Sequence, residues 1–168
     1  MAFFIASPAL ARLPSVAALD AHSRASGNRI AVAQAVGGRL FTTVWPVQVL
    51  QVIASQMGSH LVLGMRLSGV KFHAPTAKAQ FDAEIVDIVG RAFAVDPRVE
   101  EADIWVTVPL DVGKGLVVSG DLAVPTNRTV FTISVHRGEV PAVLTKRLSA
   151  GTGVFLDPEW ARSAFAKR

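Results

Sequence analysis

The chain has 168 residues, 51% hydrophobic and 18% charged, with no cysteine. That length and balance describe one globular domain able to bury a real core, and they exclude a disordered chain. The missing cysteines exclude a disulfide framework and thiolate-held zinc or iron–sulfur centres. The net charge of +4 is unevenly placed: residues 1–75 hold six basic side chains (Arg12, Arg24, Arg29, Arg39, Arg66, Lys71) against one acid, Asp20. A local basic field of this kind attracts phosphates, an acidic carrier protein or nucleic acid.

In chain order, "MAFFIASPALA" lacks a basic leading region and Pro8 interrupts its apolar run, so it reads as a folded segment and not a signal peptide. Pro14 opens a helix through "SVAALDAHSRAS", closed by Gly27. "RIAVAQAV-GG-RLFTTVWP" reads as two β-rich runs about a Gly37–Gly38 turn, a hairpin. Residues 40–65 contain no Asp, Glu, Lys or Arg. Pro46, three glutamines and His60 break that stretch before a membrane span forms, so the expected location is cytoplasmic, with no membrane contact.

Pro46 predicts a helix over 46–57, with Gly58 just past its end. Val47, Val49, Leu50, Val52, Ile53, Ala54 and Met57 would cover most of its circumference. Gln48, Gln51 and Ser55 would form one narrow uncharged stripe, as on a core helix embraced by a sheet. "HLVLGMRLSGVKFHAP" follows as a long strand with Leu61, Leu63, Met65 and Leu67 on one face.

Residues 76–95 fit two periods. Phe81, Ala83 and Ile85 alternate with Asp82 and Glu84 as on a half-exposed strand. Phe81, Ile85, Ile88 and Ala92 fit an amphipathic helix equally well. "IWVTVPL", "LVVSGDLAV" and "RTVFTISVHRG" read as strands, the first two joined by a "DVGKG" turn. "PEWARSAFAKR" reads as a terminal helix capped by Asp157. Trp45, Trp105 and Trp160 read as anchors, Trp45 also as the mouth of a pocket and Trp105 as a core residue of an apolar strand.

A hairpin, an uncharged helix and a strand ending "GVKFHAP" together resemble the hotdog-fold superfamily of acyl-thioesterases and dehydratases over about residues 29–90. The resemblance implies a single α+β domain in which an antiparallel sheet wraps one buried central helix. The alternative is a two-layer α+β sandwich with a second helix at about 76–93. It also implies a homo-oligomer acting on an acyl thioester of coenzyme A or of an acyl carrier protein. The acid or histidine that such enzymes place on the central helix is missing here, because that segment offers only Gln48, Gln51, Ser55 and Gln56.

The residues left to carry chemistry are therefore Gln51 and Gln56, as water-orienting groups, and His60 and His73, as proton-transfer groups near neutral pH. Trp45, Gln48, Ser55, Arg66 and Lys71 are the expected substrate contacts, the two basic groups suiting phosphates. His22, His60, His73 and His136 lack metal-ligand spacing, so neither a metal nor a cofactor is expected. No G-x-S-x-G elbow is present, and "VGKG" lacks the upstream glycine of a phosphate loop. Nucleic acid is disfavoured, since there is no tyrosine and the phenylalanines sit in apolar patterns. The competing expectation is a non-catalytic binding or structural assembly subunit, in which the uncharged stripe and long strands make subunit contacts.

Overall fold

Gly58 and Ser59 join two antiparallel strands, with Met57 paired to His60 on either side of the turn. Gly58 has φ +63° and no described non-glycine residue, Ser59 included, has positive φ, so the turn carries its left-handed residue at the first central position, as a type II′ hairpin requires. The computed structural model describes residues 15–26, 28–40, 49–70, 76–109, 127–139 and 141–165. In order these form α1 (Val16–Ser26), α2 (Arg29–Leu40), β1 (Val49–Met57), β2 (His60–Ser68), α3 (Lys78–Phe93), β3 (Val99–Pro109), β4 (Asn127–His136), α4 (Pro141–Ala150), β5 (Val154–Leu156) and α5 (Pro158–Ala164). The fold is α+β, with one five-stranded sheet in the order β1-β2-β3-β4-β5.

All neighbouring strands are antiparallel except β2 and β3, which run parallel. A parallel neighbour needs a crossover, and α3 supplies it. The two-fold ambiguity over 76–93 thus resolves as a helix. Phe81, Ile85, Ile88, Val89 and Ala92 are buried along one stripe of α3, and the acid among them, Asp82, accepts two hydrogen bonds from Lys78 Nζ at 2.5 and 2.7 Å. Phe81 stands edge-on to Phe131 (5.0 Å between centroids), Phe165 (5.4 Å) and Trp160 (5.9 Å). Such pairs add specificity to the area they bury.

Several expectations hold. The 15–26 helix is α1, the strand after Gly58 is β2, and Leu61, Leu63, Met65 and Leu67 all face the core. Asp157 caps α5 by accepting from the Trp160 amide at 2.7 Å. Two expectations are corrected. Residues expected as a hairpin about Gly37–Gly38 form a single helix, α2, whose Ala31, Val32, Ala35, Val36 and Leu40 are buried. The helix expected over 46–57 is, over Val49–Met57, the edge strand β1. β-Branched Val49, Val52 and Ile53 favour an extended chain, and a glycine turn leading into β2 gives that chain a ladder partner. Among the described residues no sheet wraps this segment; the helices packed into the core against the sheet include α2 and α3. α4 was not foreseen, and "LVVSGDLAV" and "MAFFIASPALA" lie outside the described residues. Among the described residues no helix is long and apolar enough to cross a membrane.

The end of α3 is tied to the sheet by one side chain. The Arg137 guanidinium donates to the carbonyls of Val99 (2.6 Å), Asp96 (2.6 Å) and Phe93 (2.9 Å). A cation there satisfies carbonyls that a helix C-terminus leaves open and complements its dipole. Replacing Arg137 with methionine is expected to lower unfolding stability by about 2–3 kcal/mol, read from the urea midpoint.

Beside it, Asp96 is buried and accepts from the Arg98 guanidinium and amide at 2.8–3.0 Å. Those side-chain hydrogen bonds, ahead of the opposing cost of burial, hold its carboxyl below the ordinary value. A depressed folded-state pKa contributes stability above the unfolded value, near pH 4, and that contribution disappears as pH falls through the folded value. Asp96→Asn should therefore destabilise the protein at pH 7 and make progressively less difference below about pH 4, measured by urea unfolding at both pH values.

Candidate interaction surface

Alternation along the strands divides the sheet into two unlike faces. Ala54 on β1, Leu61, Leu63, Met65 and Leu67 on β2, Ala102, Ile104 and Val106 on β3, and Phe131, Ile133 and Val135 on β4 share the face that packs against the helices. The opposite face carries cross-strand rows. One runs Gln51, Arg66, Trp105, Thr132, Phe155, and the next runs Ile53, Gly64, Asp103, Ser134. A third runs Ser55, Val62, Glu101, His136.

The polar groups of this face pair with one another. Ser134 Oγ donates to Asp103 Oδ1 at 2.5 Å, and His136 Nδ1 lies 3.9 Å from Glu101 Oε2. The Trp105 ring lies over Gly64, where an added Cβ would come within 3.0 Å of it. The glycine thus gives the indole a flat seat on the open face, so Trp105, expected in the core, is instead exposed there.

At one side of the sheet, β1 has a strand neighbour on one flank only among the described residues. Its free flank is bordered by α2. Two contiguous grooves of about 360 and 330 Å³ run between them, lined by Ile30, Ala33, Gly37, Val49, Val52 and Ile53 among others. Ile30 (60% exposed), Met57 (57%), Ile53 (48%) and Leu50 (44%) concentrate exposed apolar area here. Among the described residues Arg29 is the one charged residue lining either groove. Isolated apolar residues on a surface are ordinary, but a contiguous apolar strip beside an unpaired strand edge marks a binding surface.

The residues singled out for chemistry fall around this edge without converging. Gln51 and Arg66 are cross-strand neighbours on the open face, and Ser55 lies four residues further along β1 on the same face. His60 is half-buried at the turn, opposite Met57 at the far end of the hairpin. Gln56 belongs to the helix-facing column, opposite Leu61, and its Nε2 donates to the Gly58 carbonyl at 3.2 Å, serving the turn. Trp45, Gln48, Lys71 and His73 lie outside the described residues.

Two features went unread in the sequence. Ile30, Ala33 and Gly37 recur at helical spacing, but they do so in a segment taken for a hairpin. The missing charge of 40–65 was read as burial, and it equally describes a bare strand edge.

Adjacent residues of β1 should respond oppositely to a charge. Ala54→Lys places an ammonium in the core and is expected to cost at least about 2–3 kcal/mol, whereas Ser55→Lys should stay within about 0.5 kcal/mol, both by urea unfolding. Equal losses at the two positions would contradict the strand. Comparison of the chain with protein-family models, with curated proteins and with solved structures finds no match, so the reading of function rests on this geometry.

Proposed function

We propose that this protein is a non-catalytic assembly module that joins polypeptide chains by accepting a strand along β1. The observation that carries this reading is a charge-free strand edge with no strand partner among the described residues, beside an apolar floor formed by α2. Main-chain groups of an edge strand supply affinity to an added strand, and flanking apolar grooves receive its alternate side chains. Natural edges are commonly protected by lysine, proline, a charged inward residue or a bulge. β1 has a bulge between Val49 and Gln51, at its start, and beyond it the ladder is regular. The nine residues Val49–Met57 contain none of the other three devices.

A second reading keeps an acyl thioester of coenzyme A or of an acyl carrier protein as ligand. It is favoured by the same grooves, which pass Gln51 and Ser55 and are lined by apolar side chains. In that case the acyl chain, not a strand, fills the space beside α2, and Arg66 and Arg29 serve the phosphates.

One pair of measurements separates them. A fluorescent nonapeptide with the sequence of residues 49–57 is expected to bind the full chain. Ile53→Lys should weaken that binding at least about 30-fold, while Phe155→Lys on the sheet face leaves it unchanged. A thermal-shift series with acyl-CoAs of rising chain length is expected to be flat. Chain-length-dependent stabilisation of a few degrees, with no peptide binding, would transfer the assignment to the thioester.

A further inference from the structure

The strand that β1 is built to accept is, we propose, the β1 of a second copy of this chain, paired antiparallel about a two-fold axis through Ile53 to give one ten-stranded sheet. This deepens the strand-addition reading above and rests on it. Three observations point to the copy and to the register.

The first is charge. In a two-fold pairing every residue meets the same short segment in reverse, so a charged residue near the axis is brought towards its own like charge. Val49–Met57 carries no charge at all, and of the described groove-lining residues only Arg29 does. A partner selected by electrostatic complementarity would need more than that to read. A neutral, self-compatible surface suits a copy of itself.

The second is α2. Its Ala31, Val32, Ala35, Val36 and Leu40 are buried against the rest of the domain. Ile30, Ala33, Gln34 and Gly37 form a separate stripe at i, i+3, i+4 and i+7, turned towards the groove. A helix apolar on two sides asks for cover on the second. Ala33 and Gly37, one turn apart, are small enough to let a second helix approach closely. Ile30 lines both grooves together with Val52, beside the middle of the strand. A two-fold there brings the Ile30 side chains of both copies towards the axis.

The third is parity. Residues opposite each other in a sheet point to the same face, so a two-fold normal to the sheet must pass through a residue pair and not between positions. β1 has a bulge between Val49 and Gln51, and in the regular stretch beyond it Ile53 is the middle of the open-face residues Gln51, Ile53 and Ser55. Pairing about it sets Gln51 against Ser55 on the open face and Val52 against Ala54 on the helix face. Ile53 then meets its own copy, with about half of each side chain exposed in the single chain.

Because the chain has no cysteine, single cysteines report the register cleanly. Opposed residues in an antiparallel pair lie about 4.5–5.5 Å apart at Cα, within disulfide reach, whereas Ser55 and its symmetry copy would be roughly 13 Å apart. Under mild oxidation the full-length Ile53→Cys variant is expected to cross-link as a dimer and Ser55→Cys to remain uncross-linked. The double variant Gln51→Cys, Ser55→Cys should cross-link. Light scattering should give twice the chain mass for the parent, and Ile53→Lys should weaken the dimer at least about 30-fold while circular dichroism shows it folded. A dimer that cross-links through Ser55→Cys alone, or that survives Ile53→Lys, overturns the pairing. A parent that stays monomeric yet binds the nonapeptide overturns self-assembly and leaves strand addition standing. A parent that does neither overturns both.

Discussion

The parallel pairing of β2 with β3 is the constraint on which the rest of the molecule depends. Two strands running the same way cannot be joined by a turn, so the chain must travel back across the sheet, and it does so as α3. Once that helix lies on one face, its buried stripe defines which residues of every strand must be apolar. Leu63, Ala102 and Val135 then fall in one cross-sheet row, and Met65, Ile104 and Ile133 in the next. The other face is left to polar pairs and to single exposed aromatics. Among the described residues the strand furthest from β5 is left as an edge. Asymmetry between the two faces and exposure of β1 are thus consequences of one connection.

The helix-facing side is held by more than burial. Arg137, at the end of β4, binds three carbonyls between the last turn of α3 and the first residue of β3, so the crossover is anchored where it re-enters the sheet. Asp96 in the same corner is satisfied by Arg98. At the other end, Phe81 opens the buried stripe of α3 within a ring of edge-on aromatics, and Lys78 joins Asp82 to the Leu148 carbonyl of α4. Charged side chains here act mainly as fasteners of main-chain ends, which buried ends require.

How much of this was legible in the sequence varied with the source of the signal. Strong local chemistry was readable: Asp157 before Pro158 marks α5, and Leu61, Leu63, Met65 and Leu67 mark the core side of β2. Where two periods fit, as over residues 78–93, no local property decides, because the choice is made by the need for a crossover. The two errors share a cause. In α2 the glycine pair was weighted as a turn, although Gly38 serves packing inside the helix: a Cβ there would come within 2.7 Å of the Leu19 side chain of α1. In β1 the proline and glycine around an apolar run were weighted as helix ends, although Gly58 is the hairpin turn. Punctuation residues mark boundaries but do not say of what. The candidate edge was legible as a charge-free stretch, and its meaning was not. Burial and an open strand flank look alike in composition and differ only in what lies alongside.

The aromatic ring around Phe81 is assembled from distant parts of the chain. Phe131 comes from β4, while Trp160 and Phe165 come from α5 and the residue after it. Trp160 Nε1 also donates to the Gly69 carbonyl at 3.2 Å, and Phe165 bridges to Thr76. During synthesis the hairpin β1–β2 and the helix α3 emerge long before these partners exist. The apolar stripe of α3 therefore spends that interval incompletely covered, and the nascent domain closes only when residues 158–165 have cleared the ribosome. A release of the chain that stopped short of them would leave the oldest part of the core without its lid.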